Sequence, residues 1–139
     1  MLISGRYQVL HPLQEGGFGH TFLAEDTQLP SRRRCVVKQL KPIHNDPQLY
    51  RLIQERFQRE AAIQETLGEA CPQIPRLYAY FAEENHFYLV EEWVDGETLR
   101  QKVAEVGRFS EAAVRELLQE LLSVLDVVHQ HQIIHRDIK

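Results

Sequence analysis

The sequence predicts an α+β fold: a five-stranded antiparallel sheet with one inserted helix, then two further helices and a loop. Three observations carry this. Residues 1–40 alternate short β-branched and aromatic runs with turn residues. A stretch of helical period separates those runs from a second strand pair within 76–92. A long amphipathic segment then fills 110–131.

Taken in order, Tyr7-Gln8-Val9-Leu10 reads as the first strand, and Gln14-Glu15-Gly16-Gly17-Phe18-Gly19 as a turn. Thr21-Phe22-Leu23-Ala24 resumes the sheet, Gln28-Leu29-Pro30-Ser31 interrupts it, and Cys35-Val36-Val37-Lys38-Gln39-Leu40 continues it. Asn45-Asp46-Pro47 opens a helix, with a capping side chain and a proline in the first turn. Leu49, Leu52, Ile53, Phe57, Ile63 and Leu67 recur along it at helical spacing, and Gly68 closes it. Pro72 and Pro75 mark a loop. Strands at 76–82 and 86–92 join through the turn Glu83-Glu84-Asn85, and Asp95-Gly96 ends the pair. A short helix spans Thr98 to Val106, and a longer one starts at Ser110. Val114, Leu117, Leu118, Leu121, Leu125 and Val128 give the longer helix an apolar stripe.

The bulk numbers exclude several classes. With 139 residues, 43% hydrophobic and 26% charged, the chain has the composition of a folded domain with a core, not of a disordered segment. A net charge of −4 speaks against a nucleic-acid or anionic-membrane surface. The one basic run, Arg32-Arg33-Arg34, reads as a solvated loop. Cys35 and Cys71 form no CxxC pattern and fit a reducing, cytoplasmic setting better than a disulfide framework. Neither a signal peptide nor an apolar run of membrane-spanning length is visible; Asp126 breaks Leu121-Leu122-Ser123-Val124-Leu125. His129, His131 and His135 cluster near a helix end, but no carboxylate or cysteine completes a metal set at ligand spacing.

Four places carry chemistry. Gly16-Gly17-Phe18-Gly19 lies between two strands, where glycine lets a backbone approach a phosphate closely; taken alone, a plain hairpin turn is the better default. Lys38 interrupts an apolar strand, either facing solvent or needing a partner. Glu60, three residues after Phe57, shares the apolar side of the inserted helix and is the candidate partner. A solvent-exposed glutamate is the plainer alternative for it. Tyr88-Leu89-Val90-Glu91-Glu92-Trp93-Val94 is a buried strand leaving the sheet, whose backbone groups are free to bond a planar base. His135-Arg136-Asp137-Ile138-Lys139 closes the sequence: the aspartate orients a hydroxyl, and the lysine offsets phosphate charge.

In this order and spacing the chain resembles the eukaryotic-type serine/threonine protein kinases, most of all bacterial members, over essentially its whole length. The resemblance implies a kinase small lobe at 1–95, binding nucleotide, and the start of a large lobe at 96–139. ATP and a protein substrate are the implied partners, and protein Ser/Thr phosphorylation the implied reaction. Gly16 and Gly19 correspond to the second and third glycines of the loop over the ATP phosphates, with Gly17 and Phe18 between them. Gln14 replaces the first glycine, and Thr21 the usual valine. Leu13 and Val36 line the adenine pocket, and Glu92 and Val94 supply backbone contacts to adenine. Lys38 holds the α- and β-phosphates with Glu60 as its helix partner. Glu91 falls where access to the pocket behind the hinge is controlled, an atypical place for a charge. Asp137 is the catalytic base, and Lys139 follows the serine/threonine rather than the tyrosine pattern. Arg136 separates the chain from small-molecule phosphotransferases of related fold.

The same resemblance places the metal-binding Asn and the Asp-Phe-Gly aspartate after Lys139, so the Mg²⁺ ligands are not expected among these residues. The expectation is that the 139 residues alone transfer phosphate at no more than background rate, and that the 114–128 helix face is open to a partner. The rival reading is a pseudokinase-like module that binds nucleotide or protein without catalysis; the presence of Lys38, Glu60 and Asp137 argues against it.

Overall fold

The computed structural model describes residues 1–16, 19–40, 47–135 and 138. Among these residues a single six-stranded antiparallel sheet runs in the order β1-β2-β3-β4-β6-β5. Its strands are β1 (Leu2–Ile3), β2 (Tyr7–Gly16), β3 (Gly19–Asp26), β4 (Arg34–Leu40), β5 (Leu77–Glu83) and β6 (His86–Glu92). Helix α1 (Pro47–Ala70) is inserted between β4 and β5, and α2 (Leu99–Val106) and α3 (Glu111–Gln130) follow the sheet. The predicted class is thus the observed one.

The sixth strand is β1, which pairs Leu2 with Gln8 and Ile3 with Tyr7. Two residues are too few to show a period-2 pattern, so composition could not reveal it. What makes it a strand is the turn after it. Ser4 and Gly5 have φ of 51° and 60°, and Arg6 N–H reaches the Ile3 carbonyl at 3.0 Å, a tight turn with both central residues left-handed. The β5–β6 hairpin has the two-residue form, Glu84 and Asn85 lying at φ 48° and 61° between paired Glu83 and His86.

Several boundaries differ from the sequence reading, two of them for instructive reasons. β2 extends through Gln14 and Glu15 to Gly16, which pairs with Gly19. Register shifts at Val9/His11 and Pro12/Gln14 let the strand carry Pro12. Helix α1 passes through Gly68 to Ala70. Gly68 is not a cap but a contact: a Cβ there would sit 2.9 Å from Arg76 Cα and 3.0 Å from the Pro75 carbonyl oxygen. The Asn45-Asp46 capping expectation lies outside the described residues. Pro47 takes the first helical position, where its missing N–H costs nothing.

The other helix starts follow capping chemistry. The Thr98 hydroxyl accepts from Gln101 N–H, and the Gln101 side chain accepts from Thr98 N–H, a reciprocal box. Ser110 accepts from Ala113 N–H at 3.2 Å to open α3. None of the described helices is long and apolar enough to cross a membrane.

The sheet buries side chains on both faces. On one, Tyr7, Ala24, Cys35, Val37, Tyr88 and Val90 form a closed core with Phe81, whose ring stacks on Tyr7 and Tyr88. On the other, α1 lays Phe57 and Ala61 against Phe87 and Leu89. Each such fully buried large apolar side chain contributes about 1.5–3 kcal/mol. The arginine run is exposed, as read from the sequence, yet makes surface contacts: Arg32 pairs with Glu25 at 3.2 Å, and the Arg33 guanidinium lies 3.8 Å from the Tyr78 ring centre. Cys35 and Cys71 are both buried and unbridged.

Candidate functional site

Strand register decides which side chains share the face that α1 leaves open. Residues directly opposite in an antiparallel pair point to the same side. Thr21 faces Lys38, and Leu23 faces Val36 across β3–β4. Val36 faces Glu91, and Lys38 faces Leu89 across β4–β6. Thr21, Leu23, Val36, Lys38, Leu89 and Glu91 therefore line one side of the sheet, beside the residues that α1 covers. The Gly16–Gly19 pair closes β2–β3 at the edge of this face. Gly19 is there because β3 approaches β4 closely; a Cβ on it would collide with the Gln39 carbonyl.

The Lys38 ammonium donates to Glu91 Oε1 at 2.7 Å. The partner is not the one the sequence reading offered. Glu60, expected to face the sheet, is solvent-exposed. The reason is angular. Phe57 and Ala61, four apart, centre the buried stripe of α1, and Glu60 falls on its shoulder with Arg59 and Glu55 on the solvent side. Glu91 is instead 7% exposed, and its carboxylate takes the lysine. A buried carboxylate needs such a partner, since an unpaired one costs several kcal/mol. The Lys38 side chain stays 41% exposed, open to a further anion.

The remaining candidates divide as follows. Thr21, Val36 and Lys38 come together on the one face. Leu13 lies at the second β2 bulge and is exposed. At the end of β6, Glu92 N–H donates to the Arg76 carbonyl at 2.9 Å, and Glu92 Oε2 accepts from Arg76 N–H at 3.2 Å. These bonds fix the point where the chain leaves the sheet, and exposed Val94 follows. Gly17, Phe18, Asp137 and Lys139 lie outside the described residues. Among the described residues no group of three or more His, Cys, Asp or Glu side chains is gathered as for a metal ion. A separate recess of about 420 Å³, between the end of α1 and the start of β5, is lined by Glu65, Glu69 and Arg76.

Sequence reasoning missed the two ion pairs that matter most. Besides Lys38–Glu91, Arg6 grips Asp26 with two bonds, Nε at 2.9 Å and Nη2 at 2.7 Å. The Arg6 bonds hold Asp26 below the usual carboxylate value against the opposing effect of burial. Asp26 hydrogen-bonding raises Arg6 in turn. The signal for the first pair was present: strand alternation puts Glu91 and Leu89 on one side of β6. Only the cross-strand register, set by pairing across an intervening helix, brings that side to Lys38.

Comparison with known proteins gives the frame for this face. The chain is 62% identical over 138 residues to serine/threonine-protein kinase PknA of Nostoc sp., covering 99% of this chain and 24% of that protein. It is 55% identical over 138 residues to serine/threonine-protein kinase C of Synechocystis sp., covering 99% of this chain and 26% of that one. With serine/threonine-protein kinase B of the same organism it shares 48% identity over 139 residues, 99% of this chain and 24% of the relative. The chain thus spans about a quarter of the length of these relatives. The family described as the protein kinase domain matches residues 7–139, which include every described strand but β1. A glycine hairpin, a lysine strand and an inserted helix in that span place the chain in the protein kinase domain family.

Proposed function

We propose that this chain is the nucleotide-binding part of a serine/threonine protein kinase, with residues 1–95 as the lobe that holds ATP and 96–139 as the start of the second lobe. The observation that carries the reading is Lys38: a half-exposed ammonium on the open side of the sheet, opposite Thr21 and next to the glycine hairpin. This fits a polyphosphate. Lys38 has three N–H donors, of which one is spent on Glu91. Thr21 and Val36, partly exposed over buried Leu23, offer surface for a purine. The β6 exit at Glu92–Val94, fixed through Arg76, supports backbone contacts to the base. ATP supplies the transferable phosphoryl group, and a protein Ser or Thr hydroxyl is its acceptor, with Asp137 as base and Lys139 beside it. Among the described residues no acidic cluster forms, so they do not fit Mg²⁺.

Titration of the chain with ATP and with adenosine tests the reading. ATP should bind at least about tenfold more tightly, and Lys38→Ala should remove most of that difference. Equal affinity for ATP and adenosine would overturn it.

A second reading has its own observation. Val114, Leu118, Leu121 and Leu122 are exposed along α3, a run of apolar surface suited to protein contact. Nucleotide binding without phosphate transfer to a Ser/Thr peptide, in a protein carrying the complete domain, would favour a non-catalytic binding module. Transfer that Lys38→Ala abolishes would favour the kinase.

A further inference from the structure

We infer that Glu91, on the central strand β6, is the positioning residue for Lys38, holding its ammonium on the open face independently of any carboxylate on α1. The inference rests on the reading of Lys38 as the phosphate-binding lysine and adds what sets its geometry.

Both ends of the pair are anchored in the sheet. Glu91 faces Val36, and Lys38 lies two residues along the same strand, so the two side chains are diagonal neighbours across one ladder. At 2.7 Å the bond is short and charge-assisted. Both anchors lie on interior strands, each paired on two sides, rather than on the helix that packs over them. The carboxylate is also committed. It is 7% exposed, and among the described residues Lys38 is the cation that pairs with it. If Lys38 left for a ligand, Glu91 would remain buried and unpaired, so the pair is expected to persist with phosphate bound. The chemistry allows it: an ammonium serves a carboxylate and a phosphate oxygen at once. Helix α1, by contrast, meets this face through Phe57 and Ala61 on Phe87 and Leu89, and leaves Glu60 in solvent. A helix carboxylate couples the lysine to the helix position; a strand carboxylate removes that coupling.

The test is titration of the wild-type chain, Glu91→Gln and Glu60→Gln with ATP and with adenosine as probes. Glu91→Gln should weaken ATP by about tenfold more than it weakens adenosine. Glu60→Gln should cost ATP less than Glu91→Gln does. The reverse order overturns the inference, and so does an equal loss of both probes in Glu91→Gln, which marks a purely structural role. If the wild type binds ATP no better than adenosine, the nucleotide reading is what fails. A thermal double-mutant cycle without ligand then decides the pair. Coupling of Lys38→Met with Glu91→Gln, and none with Glu60→Gln, supports Glu91 as the residue that sets Lys38; coupling with Glu60→Gln alone overturns it.

Discussion

Two nearly buried carboxylates, Asp26 and Glu91, each hold a partly exposed cation, yet they sit on regions of different use. Asp26 is 4% exposed and Glu91 7%. Asp26 receives two bonds from the Arg6 fork and a third from Gln28 N–H at 3.1 Å, next to the closed core of Tyr7 and Cys35. Its acceptor capacity is largely spent, and a guanidinium fork fixes orientation as well as charge. Glu91 receives one bond from a lysine whose side chain is 41% exposed. The first pair is a closed clasp of the fold, and the second keeps a cation available. Equal burial of an acid therefore says little about function; the spare valence of its partner says more.

The contrast requires the open face to be held as firmly as the closed one. Phe87 is the residue that does so, 1% exposed with ring centres of Phe57 at 5.0 Å and Tyr50 at 5.3 Å. Phe87→Ala should cost about 3–5 kcal/mol in denaturant unfolding. A loss below about 1 kcal/mol would mean that α1 does not brace this face.

Ligand separates the two pairs most cleanly. ATP at a hundred times its Kd should stabilise the wild type by about 2.7 kcal/mol by mass action. Lys38→Met should abolish most of that increment, whereas Arg6→Met should lower the baseline and keep it. Thermal unfolding with and without ATP reads both, and an increment lost in Arg6→Met would break the comparison.

Much of the scaffold was legible in the sequence. Thr98 and Ser110 announce their helices because capping is a local contest for backbone N–H groups. Thr21 and Val36 were named from a resemblance to protein kinases and Lys38 from its place in an apolar strand; cross-strand register is what puts the three on one face. The place of Glu60 was not legible. Its three-residue spacing from Phe57 is compatible with the inward face or its shoulder, and only the packing of Ala61 on the sheet decides between them. The Arg6–Asp26 clasp was likewise hidden, since it joins the ends of a β2–β3 hairpin whose two bulges displace the register that simple alternation would give.

Removing the clasp should be felt in the acid limb of stability. The folded value of Asp26 lies below its ordinary 3.8, chiefly through the Arg6 bonds, so the unfolded chain binds more protons in acid. The contribution is therefore present above 3.8 and lost as pH falls through the folded value. Arg6→Met should cost about 1–3 kcal/mol at pH 7, toward the lower end because the Arg6 side chain is 36% exposed. Its stability should also fall less steeply than that of the wild type below pH 4. Parallel acid limbs would show that Asp26 does not depend on Arg6.

The smallest effect is expected at Cys35, which lies in the closed core and has no counterpart near Lys38. Burial, with the Asp26 charge adding to it, pushes this thiol from 9.0 up to about 11, and its Sγ contacts the Ala24 carbonyl at 3.7 Å. A raised folded value favours the protonated, folded chain, so stability is lost as pH climbs above 9.0, where the unfolded thiol ionises. At pH 10 the loss from this group should be about 1 kcal/mol. Tyr7, Tyr78 and Tyr88 are raised by burial too and add alkaline loss of the same sign. Only the difference between the wild type and Cys35→Ala isolates the thiol. That difference should shrink between pH 8 and pH 10 as the wild type loses its advantage, and a constant difference would mean that the closed core admits enough water to ionise Cys35 at its ordinary value.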